Sequence, residues 1–147
     1  MTDTKPRLVG MNHIALEVSD IDEALAFWAA IFEIKLQNRS DTSAFIDMGD
    51  QFIALMKVDE PHRDAERHFG LIVDDRSRVR ELAEAAGAEI LPTKRLDFLD
   101  PWGNFIQVID YKEIQFSKTE GVLRGMGLSD LEKTDAAKQE LADKKML

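Results

Sequence analysis

An α+β fold is predicted: two βαβββ modules forming a curved, cup-shaped mixed sheet with helices outside, followed by a C-terminal helical tail. Three features of the 147-residue chain predict it. First, His13-Ile-Ala-Leu-Glu-Val-Ser-Asp20 superposes on His68-Phe-Gly-Leu-Ile-Val-Asp-Asp75, with His, Leu, Val and the final Asp identical, which marks an internal repeat. Second, an amphipathic helical pattern follows each copy. Third, Asp100-Pro101-Trp102-Gly103-Asn104 is strong turn chemistry feeding a strand, and that strand carries one central polar residue, Gln107.

In the first copy, Ile14, Leu16 and Val18 share one strand face while His13, Ala15 and Glu17 share the other. Ser19 and Asp20 supply an N-cap, and Ala24, Phe27, Trp28 and Ile31 form a helical apolar stripe. Two short extended runs follow at 35–39 and 44–48. A last strand then turns Ile53 and Leu55 to the helix and Phe52, Ala54 and Met56 away from it.

Residues 59–67 have the composition of a linker, and His62 is placed there in solvent. The second copy repeats the order. A strand over 68–73 is followed by a cap at Asp74 or Asp75, then by a stripe of Val79, Leu82, Ala83 and Ala86. Gly87 ends this helix. Extended runs at 89–91 and 96–99 precede the turn, after which Ile106 and Val108 face the helix while Phe105, Gln107 and Ile109 face away.

These residues make one domain over 1–111, with modules about 11–58 and 67–111, and an extension over 112–147. Gly121, Gly125 and Gly127 predict a loop at 112–127, and Ser129-x-x-Glu132 reads as a capping box opening a helix over about 130–146. That helix is weakly apolar and is expected to dock on its own domain or on a second subunit.

Composition narrows the function classes. A net charge of -9 argues against nucleic acid as a partner, because such affinity comes from clustered Lys and Arg. The absence of Cys removes disulfides, thiolate nucleophiles and Cys-ligated metals. No run approaches a membrane span, and residues 1–10 lack an apolar signal core, so a cytoplasmic protein without membrane association is expected. No serine triad or phosphate-binding glycine loop is present.

The faces opposite the helices gather His13, Glu17, Phe52, Met56, His68, Phe105, Gln107 and Ile109 into one mostly apolar cup with a few polar groups, the make-up of a small-molecule pocket. Each histidine on its own reads as a pocket residue satisfied by neighbours or as a metal ligand. Gln107 reads as an amide bonded to a neighbouring strand or to substrate, or as a ligand.

The paired His-x-x-Leu-x-Val-x-Asp motifs and Asp-Pro-x-Gly-Asn before the last strand resemble the vicinal oxygen chelate superfamily of glyoxalases, bleomycin-resistance proteins and extradiol dioxygenases. The resemblance covers residues 11–111. It implies that His13, His68 and Gln107 are the metal positions, for a divalent ion such as Fe, Mn, Zn or Ni, and that Ala54 has replaced a fourth. It also implies a homodimer. No organic cofactor is expected.

Gln107 stands where a dioxygenase requires a carboxylate, and Tyr111 is the only tyrosine, which disfavours extradiol cleavage. Two functions follow. One is a metal-assisted lyase, isomerase or dioxygenase-like enzyme on a small oxygenated substrate, with Glu17 as proton acceptor and Phe52, Met56, Phe105 and Ile109 as pocket wall. The other is a metal-free protein that sequesters a small ligand.

Overall fold

Each copy of the repeat builds its own four-stranded sheet in the computed structural model, which describes residues 5–7 and 9–147. The first sheet contains β1 (His13–Val18), β2 (Leu36–Arg39), β3 (Ser43–Asp47) and β4 (Phe52–Lys57) in the order β1-β4-β3-β2. The second contains β5 (Phe69–Val73), β6 (Glu89–Ile90), β7 (Leu96–Leu99) and β8 (Phe105–Asp110) in the order β5-β8-β7-β6. In each sheet the first and last strands pair in parallel and the remaining pairs are antiparallel. The parallel pairing requires a crossover, which α1 (Ile21–Ile31) and α2 (Arg76–Ala85) supply. Strands β1 and β5 each lie at the edge of their sheet, and no ladder joins them among the described residues.

Local chemistry fixes both helix ends. The Asp20 carboxylate accepts from Glu23 N at 2.8 Å and the Asp75 carboxylate from Arg78 N at 3.1 Å. Gly87, at φ 88°, turns the chain after α2, and the amide of Ala88 donates to Ala83 O at 3.0 Å. Trp28, 2% exposed, is the largest fully buried side chain. Truncating a ring of this size costs about 3–5 kcal/mol.

The two modules share one core. Leu16, Val18, Ile53 and Leu55 of the first sheet and Leu96, Phe98, Ile106 and Val108 of the second join the apolar faces of both helices in a single cluster. Phe27 of α1 reaches across to Phe98 and, edge-on, to Trp102, each with ring centroids 6.4 Å apart. Trp102 also ties its turn to the first module, since its Nε1 donates to Ser19 Oγ at 2.7 Å. The helices lie on the core side of the sheets, so the histidine-bearing faces turn away from it.

The tail differs from expectation. Residues 112–127 are not all loop. A 3-10 turn spans Tyr111–Glu113, and α3 spans Glu120–Gly125. The Thr119 hydroxyl accepts from Val122 N at 3.2 Å, and this cap outweighs the two glycines within α3.

The helix expected over 130–146 is α4, Asp135–Asp143, and Thr134 rather than Ser129 caps it. The residues before Thr134 have another use. Thr134 N donates to Lys112 O at 2.8 Å, and Lys133 Nζ donates to Tyr111 O at 2.8 Å and also to Ile114 O. The extension docks on its own chain, with Lys118 Nζ donating to Met48 O at 2.8 Å and pairing with Asp50.

Candidate functional site

Register places the singled-out residues in rows across each sheet. In the first, His13 pairs with Phe52 and Ala15 with Ala54, which in turn pairs with Phe45. In the second, Gly70 pairs with Gln107, which pairs with Asp97. His68 precedes β5 by one residue.

The two histidines have comparable local settings, each beside a phenylalanine of the neighbouring strand and each with Nδ1 engaged, although the His68 and Phe105 planes are tilted by 35°. His13 lies parallel to Phe52, with centroids 4.6 Å apart and planes 9° apart, and His68 lies 5.0 Å from Phe105. His13 Nδ1 donates to Asn12 Oδ1 and His68 Nδ1 to the Glu66 carbonyl, both at 2.9 Å. The Glu66 carbonyl oxygen accepts only, so His68 Nδ1 holds a proton and Nε2 of the neutral ring keeps its lone pair; the Asn12 contact sets the same tautomer of His13 when that amide presents its oxygen. Orientation of this kind is typical of metal-ligating histidines.

Gln107 is half-buried on the same face of the second sheet as Phe105 and Ile109. His68 and Gln107 therefore belong to one surface, whereas His13 stands on the other sheet. Among the described residues no group of three His, Asp or Glu side chains is placed to hold a metal ion. The donors nonetheless suit a divalent ion such as manganese or zinc, as two imidazole lone pairs and an amide oxygen. Their shortcoming is charge, because none of the three is an anion.

A cavity of about 510 Å³ opens between the two modules, and its wall includes Ala15, Glu17, His62, Arg67, His68 and Asn104. His13 and Gln107 do not line it. Nor do Phe52, Met56, Phe105 and Ile109. Phe52 and Phe105 instead pack on the histidines, Met56 is 39% exposed, and Ile109 lies 3.0 Å from where a Cβ on Gly70 would sit.

Glu17 is held by the linker. Its Oε1 accepts from the backbone amide of His62 at 2.9 Å and from His62 Nδ1 at 3.0 Å. The amide first, then the ring N–H, holds the Glu17 carboxyl below its ordinary 4.5 against an opposing effect of desolvation. A carboxylate so stabilised is a weaker base than the sequence suggests. His62 is exposed as expected, yet it is engaged with Glu17.

Several further residues escaped sequence reasoning. Asp64, inside the linker, accepts from Phe105 N at 3.1 Å and from Arg67 Nε at 3.0 Å. Asn104 Nδ2 donates to Glu17 O at 2.8 Å and to the buried Asp100 carboxylate at 2.8 Å, tying the turn before β8 to β1. Asp97 is 5% exposed, and its Oδ1 has no partner among the described residues. For Asp97 the available signal was the alternation in Leu-Asp-Phe-Leu, too short to fix a face.

Paired βαβββ modules whose repeated histidines face away from a common core define an α+β protein of the glyoxalase type. The family model described as the Glyoxalase/Bleomycin resistance protein/Dioxygenase superfamily matches residues 10–108, and the chain belongs to that superfamily. It is 27% identical over 114 residues to the glutathione transferase FosA of Serratia marcescens, covering 69% of this chain and 80% of that protein. The fold is that of the fosfomycin resistance protein FosX from Listeria monocytogenes, in its complex with Mn(II) and sulfate. The TM-score is 0.62 at 19% identity, over 82% of this chain and 99% of that one. FosX from Mesorhizobium loti matches with a TM-score of 0.57 at 17% identity, over 69% of this chain and 92% of that one.

Proposed function

We propose that this protein is a metal-assisted enzyme acting on a small oxygenated substrate, with His13, His68 and Gln107 as ligands of one divalent ion. The observation that carries the proposal is the duplicated histidine setting: each Nδ1 is engaged by a neighbouring oxygen, and neither Nε2 makes a hydrogen bond among the described residues. A histidine that only filled space would not need an Nδ1 contact and an aromatic neighbour in both modules. The Mn(II) complex of FosX supports manganese as the first ion to test.

A bound divalent ion would act as a Lewis acid toward vicinal oxygens of the substrate. The chain's own residues do the rest. Phe52 and Phe105 fix the planes of the imidazoles, and Asn12 and Glu66 fix their tautomers. Glu17 remains the candidate proton acceptor, and its bonds to His62 make it ionised at neutral pH and weakly basic.

Both histidine faces point away from the core, and among the described residues β1 and β5 both offer unpaired edges. This supports a homodimer in which β1 of one protomer meets β5 of its partner, so that the three ligands come from two chains.

A metal-free sequestering protein is the second reading, favoured by the buried Ala54 and the neutral Gln107 at ligand positions. Elemental analysis of protein purified without chelator separates the two. The enzyme reading expects close to one divalent ion per chain and a melting temperature that falls on chelation. No retained metal, with no thermal shift on adding Mn, Fe, Zn or Ni, favours the second.

A further inference from the structure

We infer that Asp97 is the anionic partner of the candidate metal centre, a positioning residue acting through Gln107; this rests on the metal reading above. Cross-strand neighbours in an antiparallel pair share a face and lie side by side. Asp97 and Gln107 are such a pair, on the face away from the core, because Leu96 and Phe98 on one strand and Ile106 and Val108 on the other occupy the core face.

Asp97 is 95% removed from solvent, yet its Oδ1 meets no hydrogen-bond donor and no cation pairs with it among the described residues. Burying a carboxylate oxygen without a donor is costly, so the placement of Oδ1 calls for a role outside the resting contacts. The matching row of the first sheet is Ala15, Ala54 and Phe45, and that of the second is Gly70, Gln107 and Asp97. The small residue on the edge strand is kept, while the other two positions are both apolar in one module and both polar in the other. Gln107 and Asp97 thus behave as a unit.

The chemistry of the unit follows from its groups. An amide has two N–H donors and one oxygen acceptor. When its N–H donates to the Asp97 carboxylate, its oxygen is left for the ion and becomes more electron-rich. The negative charge missing from two imidazoles and an amide is then supplied from the adjacent strand. Carboxylates behind ligating histidines act in the same way, and their loss typically weakens metal binding about 10–100-fold.

Calorimetric titration of Mn(II) into the chelator-treated full chain tests the inference, with the melting temperature of each metal-free variant as the folding control. Asp97→Asn should bind Mn(II) at least about tenfold more weakly than wild type, and it should melt no lower without metal, because Oδ1 makes no hydrogen bond among the described residues for the substitution to break. A carboxylate placed directly at the ligand position should make Asp97 dispensable, so D97N/Q107E should regain wild-type affinity or better. If Gln107→Ala loses Mn(II) while Asp97→Asn binds as wild type does, the inference fails and the metal reading stands. If wild type itself shows no saturable Mn(II) binding, both fail.

Discussion

Asp100 carries much of the turn before β8 on one carboxylate. It is 4% exposed, and Oδ1 accepts from Trp102 N at 3.0 Å and from Asn104 N at 2.9 Å while Oδ2 accepts from Asn104 Nδ2. Burial raises its pKa above the ordinary 3.8, and the hydrogen bonds from Asn104, Trp102 and Gly103 only partly offset that. A carboxyl whose folded pKa is raised favours the folded state in its protonated form. That contribution is full below 3.8 and is lost as pH rises through the folded value. Asp100→Asn would set an amide NH2 against that of Asn104 and is expected to cost about 1–3 kcal/mol at neutral pH. Urea unfolding at several pH values should show the gap between wild type and variant narrowing as pH rises from below 3.8; a gap independent of pH contradicts this.

The same scale shows what the sequence could reveal. His13 and His68 were legible as candidates because the repeat aligns them residue for residue, and Gln107 because one polar group stands out among apolar neighbours. Asp97 was not, since its meaning depends on a partner ten positions away whose register the intervening turn decides. The hold of His62 on Glu17 was equally hidden, because it links two segments through space.

Among the elements, the turn containing Gly103 binds the two modules to their linker. Gly103 has φ 88°, and a Cβ there would lie 2.7 Å from Arg63 Cα. Asp64 N donates to Gly103 O at 2.8 Å, so the close approach belongs to the fold. Gly103→Ala combines the left-handed penalty of about 1–2 kcal/mol with a backbone clash. It should lower the unfolding free energy by at least about 2 kcal/mol. Gly125→Ala is the control. It ends α3, a Cβ there meets nothing within 4 Å, and the better helix propensity should make the change neutral or stabilising by up to about 1 kcal/mol. Equal losses in both variants would contradict the assignment of the Gly103 turn.

Most strands and both module helices were legible because their 2.0 and 3.6 periodicities are strong and their Asp caps stand at the expected places. The tail was less so. Ser129-x-x-Glu132 has the right pattern for a cap, but Lys133 and Thr134 are committed to the 3-10 turn at Tyr111–Glu113, and the helix begins after them. Gly121 and Gly125 suggested loop, and the packing of Val122 and Met126 on the turn at Gly49 overrides them.

On the scale of the whole molecule, the two sheets share a core and present their histidines outward, so the account joins assembly to chemistry. Light scattering should give about twice the 16.7 kDa of one chain. A strictly monomeric protein would leave His13 and His68 on separate surfaces and contradict the two-chain centre. No helix among the described residues is long and apolar enough to cross a membrane.

Electron paramagnetic resonance of free Mn(II) during titration into wild type, His13→Ala and His68→Ala reads the candidate centre itself. The expected result is saturation near one Mn(II) per wild-type chain, with affinity lost in both variants while each remains folded. Binding that survives both substitutions, or that never saturates in wild type, would contradict the claim that the duplicated histidines hold a metal ion together.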